Sequence, residues 1–215
     1  VTSASATLFD GKETTGLFIS EALHPYKVLR AAGFELSQQP SLLNGDDLTL
    51  WNDTDSEFRK KLDSMPKASE LDGSKYGLFY ASAGHAALID YPTATSLQKI
   101  AKQVWASGGI VSSMCHGPAI FANILDTTTN EPLIKGKKIT GFTTEAENTM
   151  KIMGELRSWN SEMVEEVAAR LGATYERALG IWDDFHVVDG RLVTGQNPAS
   201  AESTAKAAVA VFETL

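Results

Sequence analysis

The chain carries one thiol, Cys115, within the stretch "SMCHG" at residues 113–117. A small residue, any residue, a nucleophile, any residue and a small residue, set after a strand and before a helix, form the pattern of a nucleophile elbow. Ser113 and Gly117 are small at the two places where the backbone folds back around a residue held in a strained conformation. Pro118 suits the first turn of the helix that follows, where its missing N–H costs nothing. A thiol at that point lies near a helix N-terminus, whose partial positive charge favours the thiolate, the reactive form. Backbone N–H groups of the same turn, around His116 and Gly117, are placed to hold an oxyanion. The plain alternative is a small buried hydrophobe, as most free cysteines are. The elbow context decides for a nucleophile.

Other groups with chemical potential surround it in sequence. His116 follows the cysteine directly, yet successive side chains on a tight turn need not face each other, so a polar rim residue is its plain reading. Glu21 lies in "LFISEALHPY", where it reads either as a solvated carboxylate in the first turn of a helix kinked by Pro25 or as a buried acid. Glu145 and Glu147 stand close together in "TTEAEN", and both fit a solvated helix face. Gly84 and His85 come just after an apolar run; the glycine permits close backbone approach to a ligand, and the histidine fits a cap or loop. His24 and His186 have no partner at metal-ligand spacing, and no HExxH pattern occurs, so no catalytic metal is expected.

Such a constellation needs elements to position it, and 215 residues with 43% apolar content suit one α/β domain spanning 1–215. "YGLFYAS" (76–82) and "GIVSSM" (109–114) read as buried strands on either side of a helix over Thr95–Ser107, which stops at Gly108-Gly109. "SEMVEEVAARLGATYERA" reads as an amphipathic helix closed by Gly172 and followed by a short strand. "HVVDGRLVTG" carries an Asp-Gly hairpin signal. An alanine-rich helix ends the chain, with Asn197 or Ser200 to cap it. Strand and helix in alternation imply a mostly parallel sheet covered on both faces, with sites at the carboxyl ends of strands. Trp182 in "GIWDDF" and Asn197-Pro198 read as shaping the pocket or packing, with core packing ranked first for Trp182.

A lone cysteine excludes an internal disulfide framework and a CxxC site, and fits an intracellular, cytoplasmic protein. No apolar run approaches a membrane span and no signal peptide is evident, so neither membrane nor secretion is expected. A net charge of −8 with no basic cluster argues against nucleic acid. The sequon Asn52-Asp53-Thr54 is then a chance match.

"SAGHAALIDYP" (82–92), "CHGPAIF" (115–121), "GFTTEAE" (141–147) and "GRLVTGQNPASA" (190–201), in this order, resemble the ThiJ/PfpI (DJ-one) superfamily. They resemble in particular its fungal heat-shock-protein-thirty-one-like branch, the glutathione-independent glyoxalase III enzymes. The resemblance covers nearly the whole chain. It implies a flavodoxin-like three-layer sandwich, a class I glutamine amidotransferase-like domain. It also implies a Cys115-His116-Glu147 triad, and Glu21 beside the sulfur with its pKa raised by burial and by the like charge. The Gly84 and His116 N–H groups would form the oxyanion hole, with His85 and Gly117 at the substrate.

The activity implied is conversion of methylglyoxal, a small 2-oxoaldehyde, to D-lactate (D-lactate dehydratase, a lyase), with neither glutathione nor metal, in a cytoplasmic and also nuclear homodimer. Rival readings within the resemblance are a stress chaperone that binds unfolded proteins, a redox sensor in which Cys115 becomes a sulfinic acid, and, ranked last, a cysteine peptidase or amidase. Two departures stand out. The family's first strand would run into "VTS", with its upstream half absent here, and the join between Leu36 and Ser37 is about a dozen residues shorter than the family implies, whereas parallel βαβ units need the full crossover. Residues missing at both places are the expectation.

Overall fold

The computed structural model describes residues 4–34, 53–56, 60, 64 and 66–215. The expectations about residues before Val1 and between Leu36 and Ser37 lie outside the described residues, as does Asn52 of the sequon.

The strands are β1 (Ala6–Leu8), β2 (Glu13–Thr15), β3 (Leu78–Ala81), β4 (Ile110–Met114), β5 (Lys138–Ile139), β6 (Thr174–Tyr175), β7 (His186–Asp189) and β8 (Leu192–Gly195). The helices are α1 (Ser20–Ala31), α2 (Ala87–Asp90), α3 (Thr95–Ala106), α4 (Thr144–Met150), α5 (Met153–Ser158), α6 (Val164–Leu171) and α7 (Ala201–Phe212). Among the described residues, the sheet that carries the elbow runs β3-β4-β8-β7, parallel except for the β7–β8 hairpin.

β4 is buried along its whole length because both of its faces are covered. Side chains alternate across a strand. Val111 accordingly packs in the core cluster that holds Val104 and Ala101 of α3, and its neighbour Ile110 packs with Val193 of β8 and Ala208 of α7. α1 lies against α7 on that second side. This is the helix-sheet-helix sandwich that a run of consecutive apolar residues demands.

Three details depart from the sequence reading. β3 ends the described sheet, and its Leu78, Phe79 and Tyr80 are half-buried, so that run is not fully covered. The hairpin loop is Gly190-Arg191, since Asp189 pairs with Leu192, and Gly190 supplies the positive φ of 58° at its first position. The segment after the cysteine, Gly117–Asn123, is a 3₁₀ run and not an α-helix. At the start of α7, Asn197 closes a 3₁₀ turn by accepting from the Ser200 N–H at 3.2 Å. No helix among the described residues is long and apolar enough to cross a membrane.

Candidate active site

β4 delivers the chain to Cys115, where φ is +55°. That left-handed conformation is costly for a residue with a Cβ and persists only where the surroundings over-determine it. They do so here: the Cys115 N–H donates to the Gly195 carbonyl at 2.9 Å, and the Cys115 carbonyl accepts from the Phe142 N–H at 2.8 Å. A Cβ at Gly117 would run into the Ala81 carbonyl oxygen and lie 3.2 Å from the Ser113 Cβ. The small residues two before and two after the cysteine therefore touch each other across the elbow.

The turn brings consecutive side chains together. Cys115 Sγ is 3.2 Å from His116 Nδ1, and His116 Nε2 is 2.6 Å from Glu147 Oε1. Glu147 sits in the first turn of α4, which Thr143 caps by accepting from the Ala146 N–H at 3.0 Å. Residues two apart on a helix point to opposite sides. Glu147 is therefore buried, while Glu145 is exposed and pairs with Arg177. Burial by itself would push the Glu147 carboxyl up, but His116 and His85 outweigh it and bring it down to about 2. An ionised carboxylate only accepts hydrogen bonds, so the Nε2 of His116 carries its hydrogen and Nδ1 is left to face the sulfur. Burial, with His85 nearby, also lowers the His116 pKa below its ordinary value despite Glu147.

His85 joins the same carboxylate: its Nε2 is 3.1 Å from Glu147 Oε2, and its ring centroid is 4.4 Å from that of His116. His85, His116 and Glu147 thus place three ligand atoms within 4.8 Å of one another, a set able to hold a metal ion.

Glu21, fully buried, approaches from the other side. Its Oε2 accepts from the Ala83 N–H at 3.3 Å, while Oε1 has no partner in hydrogen-bonding geometry and the Cys115 thiol is its neighbour. Burial holds this carboxyl well above the usual range, with only partial relief from the Cys115 and Ala83 contacts. α1 reaches this position because the segment before it lies on the loop after β3, where the Phe18 N–H donates to the Ala83 carbonyl at 2.9 Å. Gly84 makes that possible: a Cβ there would strike the Gly16 carbonyl oxygen and lie 2.8 Å from the Phe18 nitrogen. Its missing side chain admits the chain's own backbone, where the sequence suggested a ligand.

Two further expectations change. Burial first, and the Glu21 carboxyl second, push the Cys115 thiol up, so these effects override the depression expected from a helix N-terminus. Trp182 is 51% exposed and does not belong to the core. It stands 5.8 Å from Phe142, on a loop that Asn197 holds by donating from Nδ2 to the carbonyls of Ile181 and Asp183. Phe142 itself was not singled out by its sequence. Its ring stacks on His116 at 4.7 Å and 30°, and meets His85 at 5.7 Å. The only signal was its place in the motif that carries Glu147.

The arrangement can hold one proton between a buried carboxyl and a thiol, and relay another through an imidazole to a carboxylate. It is the equipment for covalent addition followed by proton transfer.

No protein-family model matches the chain. It is 45% identical to Glyoxalase 3 of Candida albicans, over 99% of this chain and 96% of that protein. It is 43% identical to the glutathione-independent glyoxalase HSP31 of Saccharomyces cerevisiae, over 95% and 92%. Among solved structures, the crystal structure of glyoxalase III from Candida albicans matches with a TM-score of 0.91 at 45% identity, covering 97% of this chain and 93% of that one. Drosophila melanogaster DJ-1beta, 17% identical with a TM-score of 0.56 over 91% and 85% of the two chains, shares the fold.

Proposed function

The chain belongs to the glutathione-independent glyoxalases of the HSP31 type, and from that membership we propose that it converts methylglyoxal to D-lactate with neither glutathione nor metal. The observation that carries the reading is the pairing of Cys115, at a positive φ of 55°, with the fully buried Glu21. A carboxyl kept protonated by burial beside a thiol is poised to exchange its proton with the sulfur and with a bound substrate.

In the proposed cycle, the Cys115 sulfur adds to the aldehyde carbon, forming the C–S bond of a hemithioacetal, as its thiol proton passes to Nδ1 of His116, 3.2 Å away. The protonated Glu21 gives its own proton to the developing alkoxide oxygen and is left as a carboxylate. It then removes the hydrogen from the former aldehyde carbon, giving an enediol, and delivers it to the neighbouring carbon. His116, its Nε2 held by Glu147, serves the substrate oxygens. The product is a thioester of a 2-hydroxy acid. Water cleaves the C–S bond, releasing lactate and the free thiol. The sum is methylglyoxal plus water to lactic acid, so no redox partner is required. The N–H groups of Gly84 and His116 are the donors for the oxyanion in this scheme, with Gly117 admitting the tight turn and His85 facing the substrate.

The test is consumption of methylglyoxal by the purified protein in glutathione-free, chelator-treated buffer, with D- and L-lactate assayed separately and Cys115→Ala alongside. Lactate that depends on Cys115 supports the reading; a folded protein with a free thiol and no lactate overturns it. A cytoplasmic homodimer is part of the same proposal, checked by sedimentation and by fractionation.

A further inference from the structure

We infer that His85, His116 and Glu147 form a binding site for a divalent transition-metal ion, zinc foremost, and that its occupancy switches the active site off. Two imidazoles and one carboxylate converge within 4.8 Å. A tetrahedral zinc ion with bonds of about 2.0–2.1 Å uses such a His₂-carboxylate set, with water in the fourth position. The donors are borderline nitrogens and a single oxygen, a set that suits zinc over magnesium or calcium, which ask for oxygen.

Geometry supports a built site with an entrance. The carboxylate already directs one oxygen to each ring, Oε1 to His116 at 2.6 Å and Oε2 to His85 at 3.1 Å. His116 and Glu147 are buried, whereas the His85 side chain is 16% exposed and forms the side from which an ion can enter. Phe142 stacks on His116 and meets the edge of His85, which keeps both rings in place as ligands must be.

The site is distinct from the thiol. Cys115 Sγ lies 3.2 Å from Nδ1 of His116, whereas the carboxylate and hence the ion lie at Nε2, the far edge of the same ring. One ion cannot bridge both edges. Zinc on Nε2 takes the place of the hydrogen now donated to Glu147, and the neutral ring then carries its one hydrogen on Nδ1, facing the sulfur, so that Nδ1 can no longer accept the thiol proton. The imidazole–carboxylate pair is then committed to the metal and cannot move protons for a substrate. Binding stands on these three side chains alone; only the inhibitory consequence rests on the proposed glyoxalase reaction.

The experiment uses the whole protein after chelator treatment. Co²⁺ is titrated and read by its visible d–d absorption, and Zn²⁺ by calorimetry; methylglyoxal turnover is followed in parallel with and without EDTA. The expected result is one ion per chain, binding retained in Cys115→Ala, and binding weakened roughly tenfold or more in His85→Asn and Glu147→Gln. His85 lies at the rim, so its variant keeps the test open if Glu147→Gln does not fold. Zinc should abolish turnover, and EDTA should restore it. Absence of binding to the folded wild type overturns the site. So does binding that is lost in Cys115→Ala but kept in His85→Asn, which would place the ion on the sulfur. Binding without loss of turnover overturns the switch. A protein that binds zinc but never turns over methylglyoxal refutes the proposed reaction and leaves the metal site standing.

Discussion

Cys115 and His116 are consecutive residues, yet the sulfur of one lies 3.2 Å from Nδ1 of the other. Adjacent side chains ordinarily diverge. The positive φ of Cys115, with its N–H tied to Gly195 and its carbonyl to Phe142, turns the two onto one side.

That pairing makes the first prediction. Cys115→Ala reduces lactate formation to background, and His116→Asn lowers kcat/KM by about 10²–10⁴-fold, the range for a lost acid–base group. Both keep the circular dichroism spectrum of the wild type. Substantial turnover by folded Cys115→Ala would remove covalent addition from the mechanism.

Glu21→Gln should lose activity and gain stability. The folded-state pKa of Glu21 is raised above its unfolded value by burial. Below the unfolded value of 4.5 both states are protonated and there is no penalty. As pH rises through it the unfolded chain ionises first, and the wild type loses stability until the folded pKa is passed. The melting temperature of Glu21→Gln relative to wild type should therefore climb from pH 4 to pH 8. A flat difference would show that the buried carboxyl is not protonated.

Glu147 predicts the opposite slope. Its folded-state pKa is depressed to about 2 by His116 and His85, against the effect of burial. It contributes stability above its unfolded pKa, and that contribution disappears as pH falls through about 2. Denaturant titrations from pH 6 downward should show the wild type converging on Glu147→Gln in acid, with the gap widest near neutrality.

Gly84→Ala tests how Glu21 is positioned. The added methyl meets the Gly16 carbonyl and the Phe18 nitrogen, both backbone atoms that cannot swing aside. Overpacking of this kind costs about 1–3 kcal/mol. Shifting the segment that leads into α1 should also lower kcat, because Glu21 moves with it. Chemical denaturation and steady-state kinetics read the two effects separately.

Trp182→Ala should raise KM more than it lowers kcat. The indole is half exposed and its ring stands 5.8 Å from that of Phe142, which stacks on His116, so its loss removes a ring contact beside the site and leaves the proton-transfer groups in place. An equal fall in kcat and kcat/KM would place it in the transition state instead.

Much of this molecule was legible from local pattern alone. The elbow, the buried strand before it, the helix stop at Gly108 and the β7–β8 hairpin depend on neighbours within a few residues, and short-range sterics and turn chemistry decide them. The one-thiol arrangement and the choice of Cys115 as its centre followed in the same way.

The tertiary structure decided the electrostatics and the partners. Glu145 and Glu147 have the same chemistry and nearly the same position, and only the packing of α4 buries one and exposes the other. The helix-end charge suggested a depressed thiol pKa, but burial and Glu21, distant in sequence, push it up. Trp182 carries the composition of a core residue and lies half exposed, 5.8 Å from Phe142. Gly84 admits the backbone of Gly16 and Phe18 from far along the chain, and His85 shares with His116 the carboxylate of Glu147, 62 residues from the first and 31 from the second. Turn and strand signals are short-ranged. Desolvation and Coulomb interactions depend on distance in space, and the sequence by itself does not contain that distance.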